Sequence, residues 1–391
     1  MLIGTISGVG MWSFVVSLPA VQADFGVTRA EASLPYTLMM IGFAGGTVLM
    51  GRVVDRFGVV ATLLIGSITI GLGYIGAGLS PTLTVFAAFH VLLGFGSSCG
   101  FGPLVSDISH WFEKRRGIAV GLCASGNYFA GAIWPPVIQY FLTHSFLGNA
   151  AGWRPTHIGI GIFCALAVFP LTFLLRRRAP AVHGTAAATQ ANAGSLGLSP
   201  GTLQLLLSIA GVCCCVAMSM PQVHLVAYCG DLGYGVAVGA EMLSAMMIAG
   251  IISRIGSGVI ADYIGGLRTL LLGSFLQGVA LLLYALFDGF YSLYIISILF
   301  GLFQGGIVPS YAIIVREYFS AREAGARLGV ILMSTLFGMA FGGWVSGLIF
   351  DLTGSYRAAF LNGLAWNLLN VAIAVWLISR ASGGRRRLAT A

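Results

Sequence analysis

Twelve stretches of about twenty apolar residues follow one another along this chain, joined by short polar segments, and they leave it few ways to fold. They fall near residues 2–22, 33–51, 59–79, 82–107, 117–140, 156–175, 202–228, 239–261, 269–287, 290–314, 325–350 and 357–379. A run of that length crosses a hydrocarbon core of about 30 Å as a helix. In lipid only helices and closed barrels satisfy their own backbone polar groups, and twenty-residue runs are too long for barrel strands. Of the 391 residues 8% are charged, where a soluble domain carries about 25%, so a soluble fold is excluded. The expected class is an all-α membrane protein with twelve transmembrane helices.

Spans one to six and seven to twelve are separated by a stretch rich in Ala, Gly, Ser and Thr that opens on Arg176, Arg177 and Arg178. Such a composition reads as a flexible linker. The predicted organisation is a six-helix bundle over 1–178, a linker over 179–200, a second six-helix bundle over 201–380 and a basic tail over 381–391. The two halves repeat. A shift of 207 residues carries Gly51, Asp55 and Gly58 onto Gly258, Asp262 and Gly265, Gly94 onto Gly301, Phe112 onto Phe319, Arg115 onto Arg322 and Asp24 onto Asp231. One offset across so many landmarks implies a parallel repeat about an axis along the membrane normal.

With the linker in the cytoplasm, sixteen Lys and Arg fall on the cytoplasmic side and three (Arg29, Arg154, Arg357) outside. That asymmetry places both termini in the cytoplasm and makes the protein a multi-pass component of a bacterial plasma membrane. The net charge of +8 is explained by these loops, without nucleic acid. The first apolar segment lacks a basic n-region, so no cleavable signal peptide is expected. The seven cysteines lie within or at the edge of apolar runs without C-x-x-C spacing, and they read as small hydrophobes. No metal or cofactor site is expected.

The twentieth basic residue is Arg254, eight residues before Asp262 in span eight. Eight residues of helix are ~12 Å, close to mid-membrane. A guanidinium there is unfavourable by at least ~2.5 kcal/mol unless it faces water or an anion, so it is read as a substrate anchor. The repeat puts Thr47 at the equivalent place, so Arg254 is no part of the shared scaffold.

Gly51, Arg52, Asp55, Arg56 and Gly58 (GRVVDRFG) join spans two and three, and Gly258, Asp262 and Gly265 (GVIADYIG) join spans eight and nine. Two copies at matched places resemble the loop motif of the major facilitator superfamily, whose fold then covers the whole chain, and the resemblance implies an inside gate. Residues 100–136, with Pro103, Trp111, Phe112, Lys114, Arg115 and Arg116, resemble the region of spans four and five in monocarboxylate transporters and oxalate–formate antiporters. Arg254 followed by G-x-x-A-D resembles their substrate-binding arginine, and 342–356 resembles the end of their span eleven. Gly250 stands where the proton-coupled animal members carry Asp, and span one has no Lys.

Helical spacing groups further candidates. Span four puts His90, Gly94, Ser97 and Phe101 on one face, span five Asn127 with Trp134, and span ten Gln304 with Tyr311. Asn127, Gln304 and Tyr311 read either as interhelical hydrogen-bond partners or as substrate contacts. His224, past a kink expected at Pro221, is the candidate for proton coupling and a further substrate contact. His90 reads as structural, and Asp107 as the partner of a nearby Arg. These features point to a monomeric secondary transporter moving a small organic anion, a monocarboxylate, by proton symport or anion exchange. Multidrug efflux is the alternative, but cationic drugs would want an acidic cavity. A membrane-embedded enzyme or sensor would need a catalytic constellation, and H-E-x-x-H does not occur.

Overall fold

A computed structural model describes residues 1–111, 122–145, 151–176 and 196–389. Phe112, Lys114, Arg115, Arg116 and the body of the linker lie outside the described residues, as does the side chain of Asp55. Among the described residues, eleven helices are long and apolar enough to cross a membrane. They are Leu2–Phe25, Arg29–Val54, Arg56–Gly78, Leu83–Leu104, Trp153–Phe173, Pro200–Asp231, Val236–Ile264, Gly266–Leu286, Phe290–Tyr318, Glu323–Thr353 and Tyr356–Ala381. The helix Gly126–Thr143 takes the place of span five, so the expected twelve-helix, two-half architecture is present.

Local chemistry sets the helix ends. Thr28 caps span two with a full capping box, its backbone N–H donating to Glu31 Oε2 at 2.9 Å while its hydroxyl accepts from the Glu31 amide. The helix therefore starts at Arg29 rather than near residue 33. Ser199 caps span seven, with Pro200 following in the first turn. That helix runs unbroken through Pro221 to Asp231, where the sequence suggests a kink. The last helix continues to Ala389, through the stretch read as a tail.

The repeat holds in the backbone. Gly58 has φ 80° and ψ 172°, and Gly265 has φ 80° and ψ 166°, a combination open essentially to glycine alone. Gly94 sits against the carbonyl of Met39, and Gly301 against the carbonyl of Met246, where any Cβ would collide. Met39 and Met246 are themselves 207 residues apart. Spans two and four therefore pack as spans eight and ten do, backbone on backbone.

Among the described residues, spans one, four and ten are each built from two helices. Span one breaks between Leu2–Ser7 and Val9–Phe25, span four between Leu83–Cys99 and Gly102–Trp111, and span ten between Phe290–Gln304 and Ile307–Tyr318. The halves meet where span two packs on span eleven and span five on span eight. The end of the bundle where the chain leaves span six and re-enters span seven is called here the linker face, and the opposite end the far face.

Candidate substrate-binding site

Arg254 lies on the seam between the halves. Its Cζ stands 4.3 Å from the centroid of the Tyr128 ring in span five. Nη1 donates to the Ala124 carbonyl at 3.3 Å, and Nε to the Gly305 carbonyl at 3.5 Å. Both bonds are longer than the usual 2.7–3.2 Å for N–H···O. Gly305 has a carbonyl to spare because Pro309, four residues on, has no N–H to offer it. Ala124 and Tyr128 belong to the first half and Gly305 to the second, so the guanidinium bridges both. Among the described residues no carboxylate pairs with Arg254. Gly250, one turn earlier, leaves the space that the Tyr128 ring fills, since a Cβ there would meet that ring.

Asn127 is the neighbour of Tyr128, and its Oδ1 is buried without a partner. With Phe101 it lines a small hollow beside the breaks in spans one and four, together with Gly8, Phe43 and Ser97. The structure thus brings Asn127 and Phe101 together in one hollow, which Arg254 does not line. Gln304 is next to Gly305 but fully buried. Its Oε1 accepts from Gln222 Nε2 at 2.9 Å, and its own Nε2 has no partner. Tyr311 is buried inside the second half and donates to Cys214 Sγ at 3.5 Å. His224 stands nearer the far face, with Nε2 donating to the Gly343 carbonyl at 2.8 Å and its ring 5.9 Å from that of Tyr356. Of the other readings, His90 is buried with Nδ1 bonded to the Phe86 carbonyl, and Asp107 accepts from Trp111 Nε1. All seven cysteines are free.

The loops that follow spans two and eight sit at the linker face. Arg52, Arg56 and Asp262 are exposed, Arg56 lies 5.3 Å over the Phe57 ring, and among the described residues nothing lies within 4 Å of where a Cβ at Gly51 or Gly258 would stand. A cavity of about 290 Å³ opens elsewhere, at the far face of the second half, between Tyr228, Asp231, Asp288 and Tyr356. None of the residues named from the sequence as substrate contacts lines it.

Sequence reasoning missed Tyr128, the Gly305 carbonyl and Gln222. Gly250 carried a signal for Tyr128, because a glycine one turn from a buried charge leaves room for something bulky.

Two six-helix halves related by a repeat, meeting on a seam where Arg254 has no carboxylate partner among the described residues, make a two-bundle membrane carrier. The sequence profile of the Major Facilitator Superfamily matches residues 1–291 and 207–390. The chain belongs to that superfamily, whose members are transporters and not enzymes. Monocarboxylate transporter 13 from Bos taurus is 26% identical over 386 residues, covering 96% of this chain and 86% of its own. YcxA from Bacillus subtilis (strain 168), an uncharacterised transporter of the major facilitator type, is 26% identical over 370 residues, covering 90% of this chain and 88% of its own. Among solved structures the nucleoside transporter NupG has the same fold, with a TM-score of 0.70 over 98% of both chains at 14% identity.

Proposed function

We propose that this transporter is a secondary active carrier of a small organic anion, a monocarboxylate, working by alternating access as a proton symporter or an anion exchanger. The observation that carries the reading is Arg254, a guanidinium at mid-bundle held by an aromatic face and two long carbonyl bonds, with no carboxylate partner among the described residues. A carboxylate leaving water needs charge and paired donors, and the guanidinium fork supplies both. The relative described as a monocarboxylate transporter supports the same class. In this reading Asn127 and Phe101 flank the bound anion. Gln304 and Tyr311 join them when the halves rearrange, and His224 is the group that would couple protons. The linker face is cytoplasmic, in a bacterial plasma membrane, and a monomer suffices. The loops of Gly51, Arg52, Asp55, Arg56 and Gly58 and of Gly258, Asp262 and Gly265 act as the gate on that face.

The test is uptake of radiolabelled carboxylates into liposomes, with and without an imposed pH gradient. Arg254→Gln should insert and fold but lose uptake at least ~100-fold, and Arg254→Lys should fall between, because charge without the fork is a poorer carboxylate ligand. A purely structural tie predicts the reverse, poor folding with residual uptake. Anion binding retained in well-folded Arg254→Gln would end the proposal. In the same assay Asp55→Asn should slow turnover, and His224→Gln should flatten any pH dependence.

A further inference from the structure

The repeat sets Asp24, near the end of span one, and Asp231, at the end of span seven, in equivalent places. Asp24 stays within its own half. Its Oδ2 lies 2.9 Å from Arg154 Nη2, both side chains being well exposed. Span twelve opens on Tyr356-Arg357 as span six opens on Trp153-Arg154, yet among the described residues no ion pair joins Arg357 to Asp231. Asp231 instead reaches across the seam to Arg29, at 3.0 Å from Nη2. Of the three ion pairs among the described residues, this is the one that joins the halves.

Arg29 is held by several partners of the second half, although its Nε finds none among the described residues. Its side chain is 7% exposed, Nη1 donates to Tyr356 Oη at 2.8 Å, and the Phe350 ring lies 5.0 Å from Cζ. Its backbone is held too. Asp351, at the end of span eleven, accepts from the Arg29 amide at 2.9 Å and the Ala30 amide at 2.7 Å. These first-turn amides have no partner within their own helix, and a carboxylate is favoured at that end of the helix dipole. Two consecutive residues of the first half thereby engage spans seven, eleven and twelve of the second.

We infer that Arg29 with Asp231, Asp351 and Tyr356 forms a latch that holds the far face shut, and that its release is required for that face to open. The latch rests on the alternating-access reading but not on the choice of substrate. The Arg29 side chain is buried while that of Asp231 is 40% exposed, so removing a carboxylate leaves the Arg29 charge short of compensation in the closed state and favours the opening that hydrates it.

The test measures the halves directly and needs no substrate, so it can fail while the anion reading stands. Spin labels are placed on the exposed Leu79 and Tyr291 at the far face, and separately on the exposed Phe57 and Tyr263 at the linker face. The background carries Cys123→Ser, the other six thiols being buried. In nanodiscs, Arg29→Gln and Asp351→Asn should raise the far-face-open fraction about tenfold, as expected for loss of charged hydrogen bonds. The Leu79–Tyr291 distances should lengthen as the Phe57–Tyr263 distances shorten. Tyr356→Phe removes one hydrogen bond and no charge, so it decides the matter if the charge variants fail to fold, with a several-fold shift in the same direction. Unchanged distances in folded protein would overturn the latch. So would lengthening at the far face alone, which is local fraying.

Discussion

Arg254 and Tyr128 form a contact whose terms nearly cancel. A mid-membrane guanidinium is unfavourable by at least ~2.5 kcal/mol, while a desolvated cation–π contact returns up to about 2 kcal/mol. The two long carbonyl bonds close the remainder without a counter-charge, so the group is placed yet still receptive to an anion. Tyr128→Phe keeps the aromatic face and should bind substrate as before. Tyr128→Leu should weaken binding between about 3-fold and 30-fold. Titration calorimetry on the purified variants checks this, and equal affinities for Phe and Leu would remove the ring from the site. Arg254 was legible from the sequence because a charge inside an apolar run has no bland explanation. Tyr128 was not, because its partner lies in the other half and an aromatic in a membrane helix is ordinary. Gln222 was hidden in the same way, its role set only by meeting Gln304 across two helices.

At the scale of helices, the spans and their repeat could be read directly, since length, hydropathy and a fixed offset survive without knowledge of packing. Their interruptions could not. The break in span ten depends on Gly305 and Gly306 followed by Pro309, a combination that membrane helices often absorb. Pro221 shows the opposite outcome, a proline that leaves its helix continuous. The mirrored contacts of Gly94 with Met39 and Gly301 with Met246 were visible in the repeat as glycines but not as contacts. Gly301→Ala must push span ten off span eight, which should destabilise the fold by about 1–3 kcal/mol as overpacking does. Gly94→Ala should do the same in the other half. Thermal unfolding in detergent reads both, and unaltered midpoints would mean that the helix pairs are looser than their carbonyl contacts imply.

For the molecule as a whole, the number of spans and their pairing into halves follow from the chain, but which face is shut does not. One sequence has to hold both arrangements, and the contacts that select between them, such as Asp351 on the first turn of span two, join residues more than three hundred positions apart. That no carboxylate pairs with Arg254 among the described residues has an electrical consequence at this scale. With a monocarboxylate aboard, the seam is neutral, and when empty it carries one positive charge. Reorientation of the empty carrier alone then moves charge, worth up to about 2.3 kcal/mol per 100 mV if the centre crosses the full field. In liposomes clamped with potassium gradients and valinomycin, exchange of one anion for another should proceed at a rate indifferent to voltage, while net uptake should change severalfold. Equal sensitivity of the two would mean that a proton travels with the anion. Otherwise a negative interior holds the vacant carrier facing inward, and the membrane potential itself becomes a brake on net entry that only a waiting internal anion can lift.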